Sequence, residues 1–137
     1  MASVAHAQPV TQKRPLAGYV LTALVALFLG FDTIIKVLAL ALAPAVQGTT
    51  QLGYPAQSVL WLGIIELGCV VLYLAPRTSV LGALLLTGYL GGAVASQLRV
   101  GAPLLSHTLF PIYVAALLWG GLYLRETRLG ALLPFRR

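Results

Sequence analysis

Three ionisable residues stand where an apolar chain would not place them without a reason. Asp32 and Lys36 interrupt the run Ala17–Ala43, AGYVLTALVALFLGFDTIIKVLALALA, and Glu66 interrupts LGIIELGCVVLYL. Asp32 and Lys36 are four residues apart, so on a helix they share a face and lie within ion-pair reach. Glu66 has Gly63 at i−3, Cys69 at i+3 and Tyr73 at i+7, all on roughly its own face. Arg99 closes a third apolar run behind Ser96 and Gln97, and His107 stands between Ser106 and Thr108 before a fourth. Carboxylates and an amine set in apolar surroundings can hold the polar head of a ligand, exchange protons, or satisfy one another. The single cysteine, Cys69, excludes an intrachain disulfide and a CxxC redox or zinc site. The residues suggest no catalytic nucleophile and no metal centre. Asp32, Lys36, Glu66, Arg99 and His107 form the candidate ligand-binding set or polar network, with Cys69, Tyr73 and Gln97 secondary.

Composition decides the solvent these residues meet. The chain has 137 residues, 59% hydrophobic and only 9% charged. A soluble domain carries about 25% charged residues because something must face water. A bilayer removes that requirement, so an integral membrane protein is expected. The formal net charge of +6 does not point to nucleic acid. The basic residues sit at the ends of apolar runs and form no cluster with interleaved aromatics, as positive-inside placement requires.

A spanning helix needs about 20 apolar residues. Four runs are expected to cross: 17–43, about 58–75, about 79–97 and about 108–124. The second closes at Pro76, and Pro111 either opens the fourth helix or kinks it. Ala39-Leu40-Ala41 resembles a signal-peptidase site, but the apolar core before it is too long and contains Asp32 and Lys36. The first run is therefore read as an uncleaved span. Residues 1–16 read as a loose cytoplasmic tail, 17–134 as one transmembrane domain, and 135–137 as a basic cytoplasmic end. The short connections predict an all-α, antiparallel four-helix bundle. Seven basic residues (Lys13, Arg14, Arg77, Arg125, Arg128, Arg136 and Arg137) fall on one side and Arg99 alone on the other. That bias places both termini in the cytoplasm. Tyr19, Tyr54, Trp61 and Tyr123 fall near span ends, where interfacial aromatics belong. Gly88-x-x-x-Gly92 reads first as a surface for close helix approach.

Depth then follows from position along each helix. Glu66 lies near mid-membrane, Asp32 slightly outward of it and Lys36 a turn further out. Arg99 lies roughly 15 Å above the centre of its helix, at 1.5 Å per residue. Every charge within a span sits at mid-membrane or in the outer half. A charged side chain facing lipid at the bilayer centre costs roughly 2.5–3.5 kcal/mol. The three deep charges must therefore face one another or a cavity open to the outer side. Asp32 is expected to pair with Lys36. Glu66 is left to Lys36, to water, to a polar ligand or to a proton. The bland alternative is a buried network that holds the helices together, and for Cys69 it is plain core packing.

The stretch LGIIELGCVVLYLAPRTSVLGALLLTGYLGGAVASQLRVGAPLLSHTLFPIYVAALLWGGLYLR, with Phe31-Asp32-x-x-x-Lys36 before it, resembles the DoxX-like family of small four-helix bacterial membrane proteins. The resemblance covers about residues 17–134. It implies a bacterial inner-membrane location, the four-span bundle, and a role for Lys36, Glu66, Arg99 and His107. Relatives in the wider grouping are associated with quinone-linked sulfur oxidation and membrane oxidoreductase complexes. This chain has no haem-ligand His pair within its spans, no dinucleotide or flavin motif and no cysteine pair. A redox role would therefore be that of a quinone site or an anchor for another subunit. Three functions follow as expectations. The first is a binding or anchoring subunit with an outward-facing polar pocket, its partners being lipid, a quinone, a second copy or an oxidoreductase subunit. The second is a small dimeric proton-linked permease using Glu66. The third is a purely structural membrane subunit.

Overall fold

The computed structural model describes residues 16–38 and 43–132. Within them the chain is helical: α1 (Leu16–Val37), α2 (Ala43–Gln51), α3 (Ser58–Leu74), α4 (Ser79–Arg99), α5 (Phe110–Arg125) and α6 (Leu129–Leu132). A π-helical turn, Leu104–Thr108, leads into α5. Three helical stretches are long and apolar enough to cross a membrane: Leu16–Val37, Ser79–Arg99 and Leu104–Arg125. α3 is as apolar but has 17 residues.

The first helix is shorter than its apolar run. It ends at Val37 instead of Ala43, and most of α2 falls in the stretch 44–57 between the first two expected spans. A helix continuing past Ala43 would meet Pro44, whose ring clashes with the carbonyl four residues back. In the first turn of α2 the missing N–H has no helical partner to lose. Pro111 likewise stands in the first turn of α5 and opens it. The N–H groups of Thr108 and Leu109 reach back to the carbonyls of Pro103 and Leu104, so the wider turn feeds directly into the proline-started helix. The tail 1–15, with Lys13 and Arg14, the Ala39-Leu40-Ala41 pattern, and the end with Arg136 and Arg137 lie outside the described residues.

α1 packs against α3 and α5, α3 against α4, and α4 closes the ring against α5. Neighbours run in opposite directions, as three glycines show. A Cβ on Gly18, at the start of α1, would touch Leu124 and Arg125 at the end of α5. One on Gly63, early in α3, would lie 2.9 Å from the Lys36 Cβ near the end of α1. One on Gly82, early in α4, would strike the backbone of Leu72 and Tyr73. The last approach is set by the tight turn Ala75-Pro76-Arg77-Thr78, where the Thr78 hydroxyl donates to the Leu72 carbonyl at 2.9 Å.

The two halves of the bundle are filled differently. The half holding the start of α1 and the end of α5 is solid. There Val25, Tyr73, Leu86, Leu118 and Leu122 are 0–2% exposed. The Tyr73 hydroxyl donates to the Leu118 carbonyl at 3.0 Å, so even its polar atom is used internally. Outward faces carry large exposed apolar side chains, among them Leu27, Phe31, Ile65, Trp61 and Leu84. In water that surface would be a heavy penalty, whereas lipid solvates it.

Candidate functional site

Lys36 is the hub of the polar cluster. Its ammonium donates to Asp32 Oδ2 at 2.5 Å, to Glu66 Oε2 at 2.8 Å and to Tyr89 Oη at 2.9 Å. The Tyr89 hydroxyl in turn donates to Glu66 Oε2 at 3.1 Å. The helix geometry makes this reach natural. Side chains lean toward the N-terminus of their own helix. Lys36, near the C-terminal end of α1, therefore points back toward the middle of the bundle. Gly63 removes the side chain that would have kept α1 and α3 apart at that level. The burial gradient follows the same path: the Asp32 side chain is 41% exposed, that of Lys36 19% and that of Glu66 0%.

Beside this cluster the bundle is hollow. A cavity of about 540 Å³ occupies the half formed by the end of α1, the start of α3, the end of α4 and the start of α5. Asp32, Lys36, Glu66 and Tyr89 line its polar part, and Phe28, Leu29, Leu62, Leu90, Phe110 and Val114 its apolar part. Gly48, Thr49 and Leu52, from α2 and the residues after it, also line it. Ligand pockets of about 300–1,000 Å³ with mostly apolar walls and a few convergent polar groups are the usual form of a small-molecule site.

The remaining candidate residues lie outside the cluster. Arg99 stays at the end of α4, where its guanidinium donates to the Leu52 carbonyl and sits 5.9 Å from the Tyr54 ring centroid. The Tyr54 hydroxyl bonds to Ser96 Oγ at 2.7 Å, and Ser96 donates to the Gly92 carbonyl. Arg99 and Ser96 thus fasten the segment after α2 to α4. His107 is exposed on the π-helical turn, its Nδ1 2.7 Å from Ser106 Oγ. Gln97 lines the cavity. Cys69 is buried in the core beside Val70. Tyr73 belongs to the solid half, its ring 5.0 Å from the Arg125 guanidinium, which also donates to the Tyr73 carbonyl at 2.9 Å.

Two features of the site escaped the sequence reading. Tyr89 completes the cluster, and its signal was positional. Glu66 is the middle residue of α3 and Tyr89 the middle residue of α4, so in antiparallel neighbours they meet at one height. The Gly88-x-x-x-Gly92 surface, expected to pack against a helix, does not. A Cβ at Gly88, Gly91 or Gly92 would meet nothing within 4 Å, and Gly88 and Gly92 line the cavity. Small residues here leave space open and bring no backbone close.

An α-helical, multi-pass membrane protein is the class that these helices and their apolar exterior define. The chain belongs to the DoxX-like family, whose model matches residues 20–121. That match takes in the whole polar cluster and the cavity walls. No curated protein and no solved structure shows significant similarity to the chain.

Proposed function

We propose that this protein is a membrane binding subunit whose hollow half takes up a small amphiphilic molecule from the outer side of a bacterial inner membrane. The observation that carries the reading is the coincidence of a cavity of about 540 Å³ with a fully buried carboxylate at its polar end. An apolar body fits among Phe28, Leu90 and Phe110, and a polar head reaches the Asp32–Lys36–Glu66–Tyr89 cluster. A ring of the quinone–quinol couple is one molecule of suitable size and character.

In this reading all four long helices cross the bilayer. α3 is locked between α1 and α4, so it must cross with them, although its 17 residues span only about 25 Å at 1.5 Å each. Both termini lie in the cytoplasm. Arg77, Arg125 and Arg128 gather at the solid end and Arg99 alone at the hollow one, the asymmetry that positive-inside placement produces. A permease would need a path through the solid half, where Tyr73, Leu118 and Leu122 are sealed from solvent. That observation favours binding over transport.

The test is mass spectrometry of organic extracts from purified wild type, Glu66→Gln and Gly92→Leu proteins, each checked for monodispersity. A lipid-soluble molecule retained by wild type and lost from both folded variants is the expected result. No difference in retained molecules among the three would reject the site. Substrate-dependent proton uptake into proteoliposomes, abolished by Glu66→Gln, would replace binding with transport.

A further inference from the structure

Building on the binding reading above, we infer that the head group accepted by the Glu66 cluster is a hydrogen-bond donor, an O–H or N–H, and not a carbonyl acceptor. An ammonium has three donors and no acceptor. All three of the Lys36 donors are committed, to Asp32, Glu66 and Tyr89. The one Tyr89 proton is committed to Glu66 Oε2. With Glu66 ionised, the cluster therefore has no donor left to offer.

Unused acceptors remain. Among the described residues three buried side-chain atoms have no partner: Thr33 Oγ1, Glu66 Oε1 and Arg125 Nε. Of these residues only Glu66 lines the cavity. Glu66 Oε2 already receives two donors while Oε1 receives none, on a side chain with 0% exposure. Leaving such an atom bare is unfavourable, because it has lost water and gained nothing. With both carboxylates ionised, Asp32, Lys36 and Glu66 together carry one surplus negative charge. A donor on the ligand fills the empty valence, and a cationic donor also offsets the surplus charge. A ketone or quinone carbonyl does neither.

Tyr54 and Gln97, also on the cavity wall, do not reverse this. Tyr54 donates to Ser96, because Ser96 gives its own proton to the Gly92 carbonyl. Gln97 has amide donors, but it stands eight residues beyond Tyr89 on α4, about 12 Å toward the mouth. An acceptor head could meet Gln97 only by staying out of the deep end. The hydroxyl of a reduced, hydroquinone-type ring and the ammonium of a lipid-like amine share the required chemistry.

Three probes with one apolar body separate the outcomes: para-heptylphenol, para-heptylbenzylamine and the methyl ether of the phenol. Their affinities for the full-length protein in lipid nanodiscs are measured by calorimetry, at neutral pH and against empty nanodiscs. At least one donor probe should bind about tenfold or more tightly than the ether, the lower end of what a hydrogen bond to a charged group contributes. Tighter phenol identifies a neutral hydroxyl head, and tighter amine a cationic one. In Glu66→Gln the preference should shrink to less than about threefold. Equal affinity for all three probes, or tighter binding of the ether, overturns the donor inference but leaves the cavity reading standing. Failure of all three to bind above empty nanodiscs overturns both. The comparison among probes on wild type decides the matter even if Glu66→Gln does not fold.

Discussion

Replacing Lys36 with methionine removes the charge at the centre of the cluster while keeping most of the stem that packs between α1 and α3. Its consequences can be worked out bond by bond. Asp32 loses a 2.5 Å bond, but its side chain is 41% exposed and borders the cavity, so it is not sealed in. Tyr89 loses one incoming donor and keeps its own proton for Glu66. Glu66 suffers most, since it is sealed at 0% exposure and left with the single 3.1 Å bond from Tyr89. Removing one partner of a buried ion pair typically costs ~3–5 kcal/mol, because the remaining charge is stranded. Lys36→Met should therefore destabilise the fold by about that amount. Replacing both partners by apolar residues of similar volume is often close to neutral. Lys36→Met with Glu66→Met should accordingly recover most of the loss. The double variant should come out at least about 2 kcal/mol more stable than the sum of the two single effects. Reversible unfolding in bicelles with increasing dodecyl sulfate, followed by near-ultraviolet circular dichroism, measures all four proteins. A Lys36→Met cost under about 0.5 kcal/mol, or additive single effects, would falsify the claim that Lys36 neutralises a buried Glu66.

Further outcomes follow from the same geometry. Gly82→Ala drives a methyl into the backbone of Leu72 and Tyr73 and should destabilise by at least about 1–3 kcal/mol, whereas Gly88→Ala meets open space and should stay within about 0.5 kcal/mol, both read by the same unfolding assay. Arg99→Met releases the Leu52 carbonyl and the Tyr54 ring, so amide hydrogen exchange across residues 47–56 should speed several-fold while exchange in α3 and α4 is unchanged. Uniform protection in that variant would show that Arg99 does not fasten the segment. In a Cys69→Ser background, an impermeant maleimide added to intact cells should label Gln51→Cys and spare Thr127→Cys, and the opposite pattern would invert the proposed orientation.

The readable part of this protein was local. Apolar run lengths located α1, α3, α4 and α5 because a bilayer sets a minimum length and a constant rise per residue converts sequence position into depth. That conversion placed Asp32, Lys36 and Glu66 together and left one half of each apolar run uncharged, which corresponds to the solid half of the bundle. The same arithmetic kept Arg99 at the helix end, away from Glu66. What run lengths do not contain is the rotation of each helix about its axis and the width of the gaps between helices. Those depend on which residues of distant segments touch. Gly63 and Gly88-x-x-x-Gly92 illustrate the limit: both are small-residue signals in apolar helices, yet one draws α1 against α3 and the other faces empty space. Tyr89 entered the cluster only when α4 was set beside α3 at matching height. α2, sparsely apolar and short, carried no periodic signal strong enough to distinguish it from a loop, and its place over the cavity depends on contacts with the rest of the bundle. Chain chemistry thus specified which groups are deep, and the packing of four helices specified that they border a cavity and that Lys36 is the one they share.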